Sequence, residues 1–124
     1  MVFDPEYVKH VAKSCISCGN CVNKCLMLQA CAIEPKSYFN AYVTSPKKQK
    51  NNLLAYNCLF CGLCKTVCPK GLNLGEAFLV IRAEMVRSSR GRIPIKALRT
   101  VNTHQSLSFS RLFTTLNPGN RGDS

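Results

Sequence analysis

Two copies of one cysteine spacing, C-x2-C-x2-C-x3-C, constrain this chain more than any other feature. The first motif runs from Cys15 to Cys25 and the second from Cys58 to Cys68, and together they use eight of the nine cysteines. This is the bacterial spacing for a [4Fe–4S] cluster, because three evenly spaced thiolates in a tight loop can turn towards three corners of one cubane. The sequence therefore predicts two [4Fe–4S] clusters.

The fourth cysteine of each motif is predicted to bind the cluster of the other motif. It begins a new turn of the chain, and in two-cluster proteins the thiolate at this position ligates the opposite cluster. The first cluster is thereby assigned Cys15, Cys18, Cys21 and Cys68. The second cluster is assigned Cys58, Cys61, Cys64 and Cys25. Ligands exchanged in this way would join the two halves of the domain and hold the clusters close enough to exchange electrons.

Structural zinc and disulfides fit the pattern less well. Zinc sites usually have two C-x2-C pairs with a long spacer between them. Disulfides suit small secreted proteins, but the first residues, MVFDPE, have neither the basic nor the apolar region of a secretion signal. Because clusters need free thiolates, we expect a reducing, cytoplasmic setting. The longest apolar run, residues 77–81, is far too short to cross a bilayer.

Around the motifs the sequence predicts helices and no strands. Asp4 and Pro5 have the character of a helix cap and first helical residue, and Phe3 and Val8 are spaced as a hydrophobic staple. One apolar helical face then leads into the first motif, and its members are Val8, Val11, Ala12 and Cys15. The fold class expected is mostly α: an α-helical two-cluster ferredoxin domain with a flexible C-terminal tail.

Further helices are predicted between and after the motifs. Residues 37–43 form one, ending before Pro46, and residues 47–56 form another. Asn73 and Glu76 then begin a longer helix with a variant of the capping box. Its apolar face comprises Leu74, Ala77, Phe78, Ile81 and Met85. Its opposite face carries Arg82, Glu84 and Arg87, and it is expected to end at Gly91 and Pro94.

The chain is strongly basic, with 17 Lys and Arg against 6 Asp and Glu and a formal net charge of +11. Residues 85–122 contain no acid, and their basic residues are Arg87, Arg90, Arg92, Lys96, Arg99, Arg111 and Arg121. A solvated tail is the simplest interpretation. The alternatives are docking on an acidic redox partner, contact with an anionic membrane surface and, least favoured, nucleic-acid binding.

The two cysteine motifs, in their contexts CISCGNCVNKCLML and CLFCGLCKTVCPKGLNL, resemble a known family. They are similar to the α-helical dicluster ferredoxin domain found in the C subunit of heterodisulfide reductase and in the iron–sulfur subunits of anaerobic glycerol-3-phosphate and glycolate dehydrogenases. The resemblance covers about residues 4–90 and implies an electron-transfer domain. In such families the domain is often followed by a cysteine-rich CCG domain or works with another protein that carries one. This chain has no CCG motif, nucleotide fingerprint or other catalytic constellation, so we do not expect it to be catalytic alone.

One departure from the family concerns the end of the first motif. Family motifs end in Cys-Pro, as Cys68-Pro69 does, but here Leu26 follows Cys25. The missing proline is expected to loosen this turn, and it leaves Cys31 as an alternative fourth ligand. The intact spacing favours Cys25. Cys31 is then interpreted as a small buried apolar residue or a free thiol.

These observations lead to a provisional division of the chain and three hypotheses. Residues 1–92 are assigned to the two-cluster domain and residues 93–124 to a basic, partly disordered linker or tail. The preferred function is single-electron transfer between a flavin or iron–sulfur donor and a reductase partner of the CCG type. Alternatively, the chain is the N-terminal part of a larger CCG-domain oxidoreductase, or a basic nucleic-acid-binding protein with structural clusters. Gly19 and Gly62, each after a second cysteine, are expected either to expose backbone N–H groups to the cluster or to adopt positive φ.

Overall fold

The computed structural model describes residues 4–45, 52–92 and 94–113. These residues form helices and no strands, as the sequence predicts. The α-helices are α1 (Pro5–Ser14), α2 (Asn20–Lys24), α3 (Leu26–Ala30), α4 (Pro35–Thr44), α5 (Leu63–Val67), α6 (Leu74–Ser88) and α7 (Arg99–Ser108). Short 3₁₀ segments span Asn52–Asn57 and Lys96–Leu98. None of the helices in the described ranges is both long and apolar enough to span a membrane.

Helix α1 begins where the sequence predicts. The Asp4 carboxylate accepts a hydrogen bond from the Glu6 N–H at 2.9 Å, and Pro5 is the first helical residue. The predicted apolar face is buried, since Val8, Val11 and Ala12 are at most 2% exposed. The predicted staple depends on Phe3, which lies outside the described residues.

The segment between the motifs differs from the prediction in two ways. Helix α4 starts at Pro35, two residues earlier than expected, because the Glu34 carboxylate caps it by accepting a hydrogen bond from the Ser37 N–H at 3.0 Å. The helix predicted over residues 47–56 is a 3₁₀ helix in its described part, Asn52–Asn57, and not a continuation of α-helical structure. Residues 46–51 lie outside the described residues.

Helix α6 provides one side of the core. Asn73 caps it by accepting a hydrogen bond from the Glu76 N–H at 3.4 Å. Its predicted apolar residues Leu74, Ala77, Phe78 and Ile81 are buried, and Met85 packs at the edge of the core. The helix ends at Ser88, ahead of Gly91, whose φ is +76°.

The core lies where α1, α4 and α6 meet, and three aromatic rings fill its centre. The ring centroids of Phe39 and Phe78 are 5.2 Å apart, and Tyr38 lies 5.3 Å from Phe39 and 5.7 Å from Phe78. These separations are typical of packed aromatic pairs. Packing therefore accounts for Tyr38 and Phe39, and the two cysteine motifs are attached to one side of a small helical core.

The C-terminal part contains a helix that the sequence did not predict. Residues 99–108 form α7, although they fall in the stretch interpreted as linker or tail. The composition is rich in Ser, Thr and Asn, which are only moderately poor helix formers, so composition alone does not exclude a helix. Val101 and Leu107 on α7 and Phe109 after it are at least half exposed. The predicted disordered end, at residues 117–124, lies outside the described residues.

Candidate metal centres

The two cysteine motifs adopt the same backbone conformation. Gly19 and Gly62 have φ of +76° and +77°, as one of the two sequence interpretations expected. The residues at the third position of each motif, Ser17 and Phe60, also have positive φ, at 56° and 57°. Positive φ is unfavourable for residues with a Cβ, and a phenylalanine in this region is a clear outlier. Its occurrence at the same place in both motifs indicates that the loop geometry requires it, and no feature of the sequence signals it.

A short helix separates the third cysteine from the fourth in each motif. Helices α2 and α5 begin directly after Gly19 and Gly62 and carry the third cysteine in their first turn. The fourth cysteine follows the last helical residue, and its N–H donates to the carbonyl of the third, at 2.9 Å from Cys25 to Cys21 and at 3.1 Å from Cys68 to Cys64. The two helices pack on each other, and the Asn20 side-chain amide donates to the Val67 carbonyl at 3.4 Å. This contact brings the two motifs side by side.

Two cavities result, and each is lined by cysteines from both motifs. The first cavity is lined by Cys15, Cys18 and Cys21 of the first motif and by Cys68 of the second. The second cavity is lined by Cys58, Cys61 and Cys64 of the second motif and by Cys25 of the first. The members of each predicted ligand set therefore lie around a common space. Cys64 and Leu74 line both cavities and form a shared wall between them.

Six of the eight motif cysteines are partly buried, and burial affects the protonation of two of them, Cys21 and Cys58. Burial, reinforced by the neighbouring thiols of Cys15 and Cys18, raises the pKa of Cys21 to about 11. Burial also raises the pKa of Cys58. The neighbouring thiols of Cys64 and Cys25 raise this pKa as well, whereas the positive charge of Arg82 lowers it. Without metal these thiols are protonated at neutral pH, so binding metal must release protons.

The donors suit an iron–sulfur cluster. At least four cysteine thiols line each cavity, and thiolates are the usual ligands of [4Fe–4S] clusters. Each iron of a cubane binds a single protein thiolate, so the four cysteines stand apart around the cluster. In the part of the chain that the structure describes, no three His, Cys, Asp or Glu side chains are grouped to hold a single metal ion.

A positive charge is fixed beside the second motif. The Arg82 guanidinium donates to the carbonyls of Ala55 and Cys58, both at 2.7 Å. It also lies over two aromatic rings, with its central carbon 4.3 Å from the centroid of Phe60 and 5.1 Å from that of Tyr56. The sequence analysis placed Arg82 on the outer face of α6, but its side chain is half-buried and reaches back to the first cysteine of the second motif.

A negative charge lies at the equivalent place in the first motif. The Ser17 hydroxyl donates to the Glu34 carboxylate at 2.9 Å, and Glu34 lines the first cavity. Hydrogen bonds from the hydroxyls of Ser37 and Ser17 lower the pKa of Glu34, so this carboxylate is ionised at neutral pH. The sequence analysis did not identify Glu34, because nothing along the chain links it to Ser17.

The exit of the first motif is a helix, and not the loosened turn that the missing proline suggested. Leu26 is the first residue of α3. The Gln29 side chain then holds α3 to α2 by donating to the carbonyls of Val22 and Asn23 at 2.9 and 3.0 Å. Cys31, the alternative ligand, lines neither cavity, and its sulfur accepts a hydrogen bond from the Asn57 amide at 3.8 Å.

Comparison with known proteins agrees with this geometry. Residues 14–73 match the family model of the 4Fe–4S dicluster domain. The match confirms the family resemblance seen in the cysteine motifs, and a dicluster domain with nine cysteines supports two [4Fe–4S] clusters as the cofactors.

A curated relative matches a larger share of the chain than the domain model does. The chain is 29% identical over 100 residues to the B subunit of fumarate reductase (CoM/CoB) from Methanothermobacter marburgensis. This alignment covers 72% of the chain but 20% of the relative, so the chain spans about a fifth of the length of the protein it resembles. No solved structure matches the chain significantly.

Proposed function

We propose that this chain transfers single electrons through two [4Fe–4S] clusters, between a flavin or iron–sulfur donor and a reductase partner. The observation that carries the proposal is the shared wall of Cys64 and Leu74 between two cysteine-lined cavities. A cluster in such a cavity gains or loses one electron without breaking a bond. Two clusters separated by one layer of side chains are close enough for an electron to pass between them.

The proposed ligand sets follow from dividing the lining cysteines. Five cysteines line the first cavity and four line the second, with Cys64 counted in both. If Cys64 belonged to the first cluster, the second would keep only Cys25, Cys58 and Cys61. We therefore assign Cys64 to the second cluster, which leaves four thiolates for each. The position of Cys31 outside both cavities supports Cys25 as the fourth ligand.

The partner is proposed to be a reductase component of the CCG type with an acidic docking surface. The name of the curated relative, which is one subunit of a reductase, supports a reductase partner. The charge of +11 favours an acidic surface, and the exposed basic residues after α6 would face it. Neutralising Arg90, Arg92 and Lys96 is expected to slow electron transfer to such a partner at low salt, measured by stopped flow. The rates of wild type and variant should converge as ionic strength rises.

A second candidate is that the chain acts as the N-terminal part of a larger reductase. It is favoured by the length of the curated relative and by the exposed apolar residues of α7 and after it, such as Val101 and Phe109. A coding sequence for a CCG region directly downstream, in the same frame, would establish it. A separate gene for such a region would favour a separate electron-transfer protein.

The proposed function is tested by metal content and redox behaviour together. Anaerobically purified protein is expected to contain close to eight iron and eight sulfide per chain. Both clusters should be reduced by a low-potential donor and reoxidised by an acceptor. A count near four would leave one cavity empty and contradict the two-cluster assignment. A full count with clusters that cannot be reduced would assign them a structural role instead.

A further inference from the structure

The third residue of each cysteine motif contacts a charged side chain, and the two charges are opposite. Ser17 hydrogen-bonds to the Glu34 carboxylate, while Phe60 stacks on the Arg82 guanidinium. We propose that Arg82 and Glu34 make the two clusters unequal, so that the second cluster is reduced at a higher potential than the first. This inference rests on the proposed electron-transfer function and specifies where an electron shared by the clusters resides.

Arg82 is held too firmly to act as an ordinary surface charge. Its two hydrogen bonds to backbone carbonyls, both at 2.7 Å, fix the guanidinium between the 3₁₀ segment and the first residue of the second motif. The rings of Phe60 and Tyr56 cover it. A charge fixed in this way loses little conformational entropy when the cluster is reduced, and it is screened less by salt than an exposed side chain.

Glu34 is exposed, so salt screens its charge more than that of Arg82, but hydrogen bonds fix its position at the other cavity. One carboxylate oxygen accepts a hydrogen bond from the Ser17 hydroxyl, and the other accepts from the N–H and hydroxyl of Ser37. The same carboxylate therefore caps α4 and contacts the first motif.

The charged residues that line the cavities add to the contrast between the two motifs. No Lys, Arg or His lines the first cavity, and no Asp or Glu lines the second, where Lys24 is present; both statements concern the described residues.

The direction of the effect follows from charge. Reduction by one electron from the redox partner makes a cluster one unit more negative, and no bond forms or breaks. A nearby cation stabilises that added charge and a nearby anion destabilises it. Removing one such charge is expected to change the reduction equilibrium of the adjacent cluster roughly tenfold at an effective dielectric constant of about 20. A tenfold change corresponds to about 59 mV for a one-electron couple.

The test is a redox titration of the full chain with both clusters present, followed by EPR. Wild type is expected to show two one-electron waves. Arg82→Gln should lower the potential of the upper wave by the amount that corresponds to a roughly tenfold change in the reduction equilibrium. Glu34→Gln should raise the potential of the lower wave. Glu34→Gln removes the charge and keeps one acceptor oxygen, so the hydrogen bonds to either Ser17 or Ser37 are lost with it. In the double variant the two waves should therefore move towards each other.

Two further variants separate charge from structure. Arg82→Lys keeps the positive charge but loses the forked hydrogen bonds, so it should retain most of the upper potential while the protein unfolds more readily. Arg87→Gln removes an exposed arginine from the same helix, paired with Glu84 at 2.8 Å, and should move neither wave. If Arg82→Lys lowers the potential of the upper wave as much as Arg82→Gln does, Arg82 acts by holding the loop. That result would overturn the inference.

The outcomes distinguish this inference from the function on which it rests. Two waves that respond to neither Arg82→Gln nor Glu34→Gln would overturn the inference and leave the electron-transfer role intact. The same holds if Arg82→Gln moves the lower wave, because the order of the clusters would then be reversed. Clusters that cannot be reduced in wild type would overturn the proposed function, and the inference with it.

Discussion

The two cysteine motifs share a backbone and differ in almost everything that surrounds it. Both have positive φ at the third residue and at the glycine, and in both a short helix runs from that glycine to the fourth cysteine. Around this common frame, one motif lies next to a carboxylate and the other next to a guanidinium. The difference teaches that one cysteine spacing is associated with one main-chain conformation, while Glu34 at the cap of α4 and Arg82 on α6 set different electrostatic surroundings.

The surfaces of the two motifs differ as well. Leu59 and Leu26, on either side of the second cavity, are 89% and 80% exposed, and the cavity has a volume of about 240 Å³. The first cavity is smaller, about 50 Å³, and its most exposed large apolar residue is Ile16 at 55%. Both motifs still present one exposed cysteine, Cys18 or Cys61. In the proposed function, an electron would enter near one of these cysteines and leave near the other.

The largest effect is expected from replacing the fourth cysteine of either motif. Cys25→Ser should damage the cluster that Cys58, Cys61 and Cys64 hold, and Cys68→Ser should damage the cluster of the first motif. The reason is that each of these thiols lines the cavity of the opposite motif. Iron content and EPR signals of the reduced variants would show which cluster is lost.

Cys31→Ser is the matched control for the cysteine variants. The Cys31 sulfur accepts a hydrogen bond from the Asn57 amide, and Cys31 lines neither cavity, so both clusters should remain. If Cys31→Ser loses a cluster and Cys25→Ser does not, the fourth ligand of the second cluster has been assigned to the wrong cysteine.

A smaller effect is expected at the two glycines. Gly19→Ala and Gly62→Ala each place a Cβ at positive φ, which costs roughly 1–2 kcal/mol, and no protein atom lies within 4 Å of either new Cβ. Both variants should therefore lower the urea midpoint of the holo protein by similar amounts, measured anaerobically by circular dichroism. A much larger decrease of the urea midpoint for one glycine variant would show that the two motifs differ in stability although their backbone conformations are alike.

The smallest effect is expected at the exit of the first motif. Leu26 is the first residue of α3, where proline is well tolerated, and Cys25 already has the extended conformation that precedes proline. Leu26→Pro should leave both clusters intact and change the free energy of unfolding by less than about 1 kcal/mol. Iron content and the urea midpoint would measure this, and a clear loss of iron would mean that the exit helix is needed where the second motif uses Pro69.

The sequence was sufficient for features that repeat or that depend on spacing. The mostly α fold, the buried faces of α1 and α6 and the dicluster motifs were predicted because each follows a periodic pattern. The assignment of each thiolate to its cluster remains a prediction. Positive φ at both glycines was one of two interpretations, and the structure shows it.

The features that were missed depend on contacts between distant residues. Arg82 has the pattern of a solvent-exposed position on α6, and only the folded chain brings it to Ala55 and Cys58. Glu34 caps one helix and contacts Ser17, 17 residues earlier. Helix α7 was missed for a different reason, because weak helix formers give no periodic signal. Side chains that reach across the fold therefore required the structure.

The exchange of cysteines between the cavities has a consequence for biosynthesis. Cys68, which lines the first cavity, is among the last cysteines to leave the ribosome, whereas Cys15, Cys18 and Cys21 are the first. At roughly 5–20 residues per second, several seconds pass between the third cysteine and its distant partner. Neither proposed ligand set is complete before the second motif has emerged. Cluster insertion is therefore expected to follow translation of both motifs, with a carrier delivering iron and sulfide to an almost finished domain.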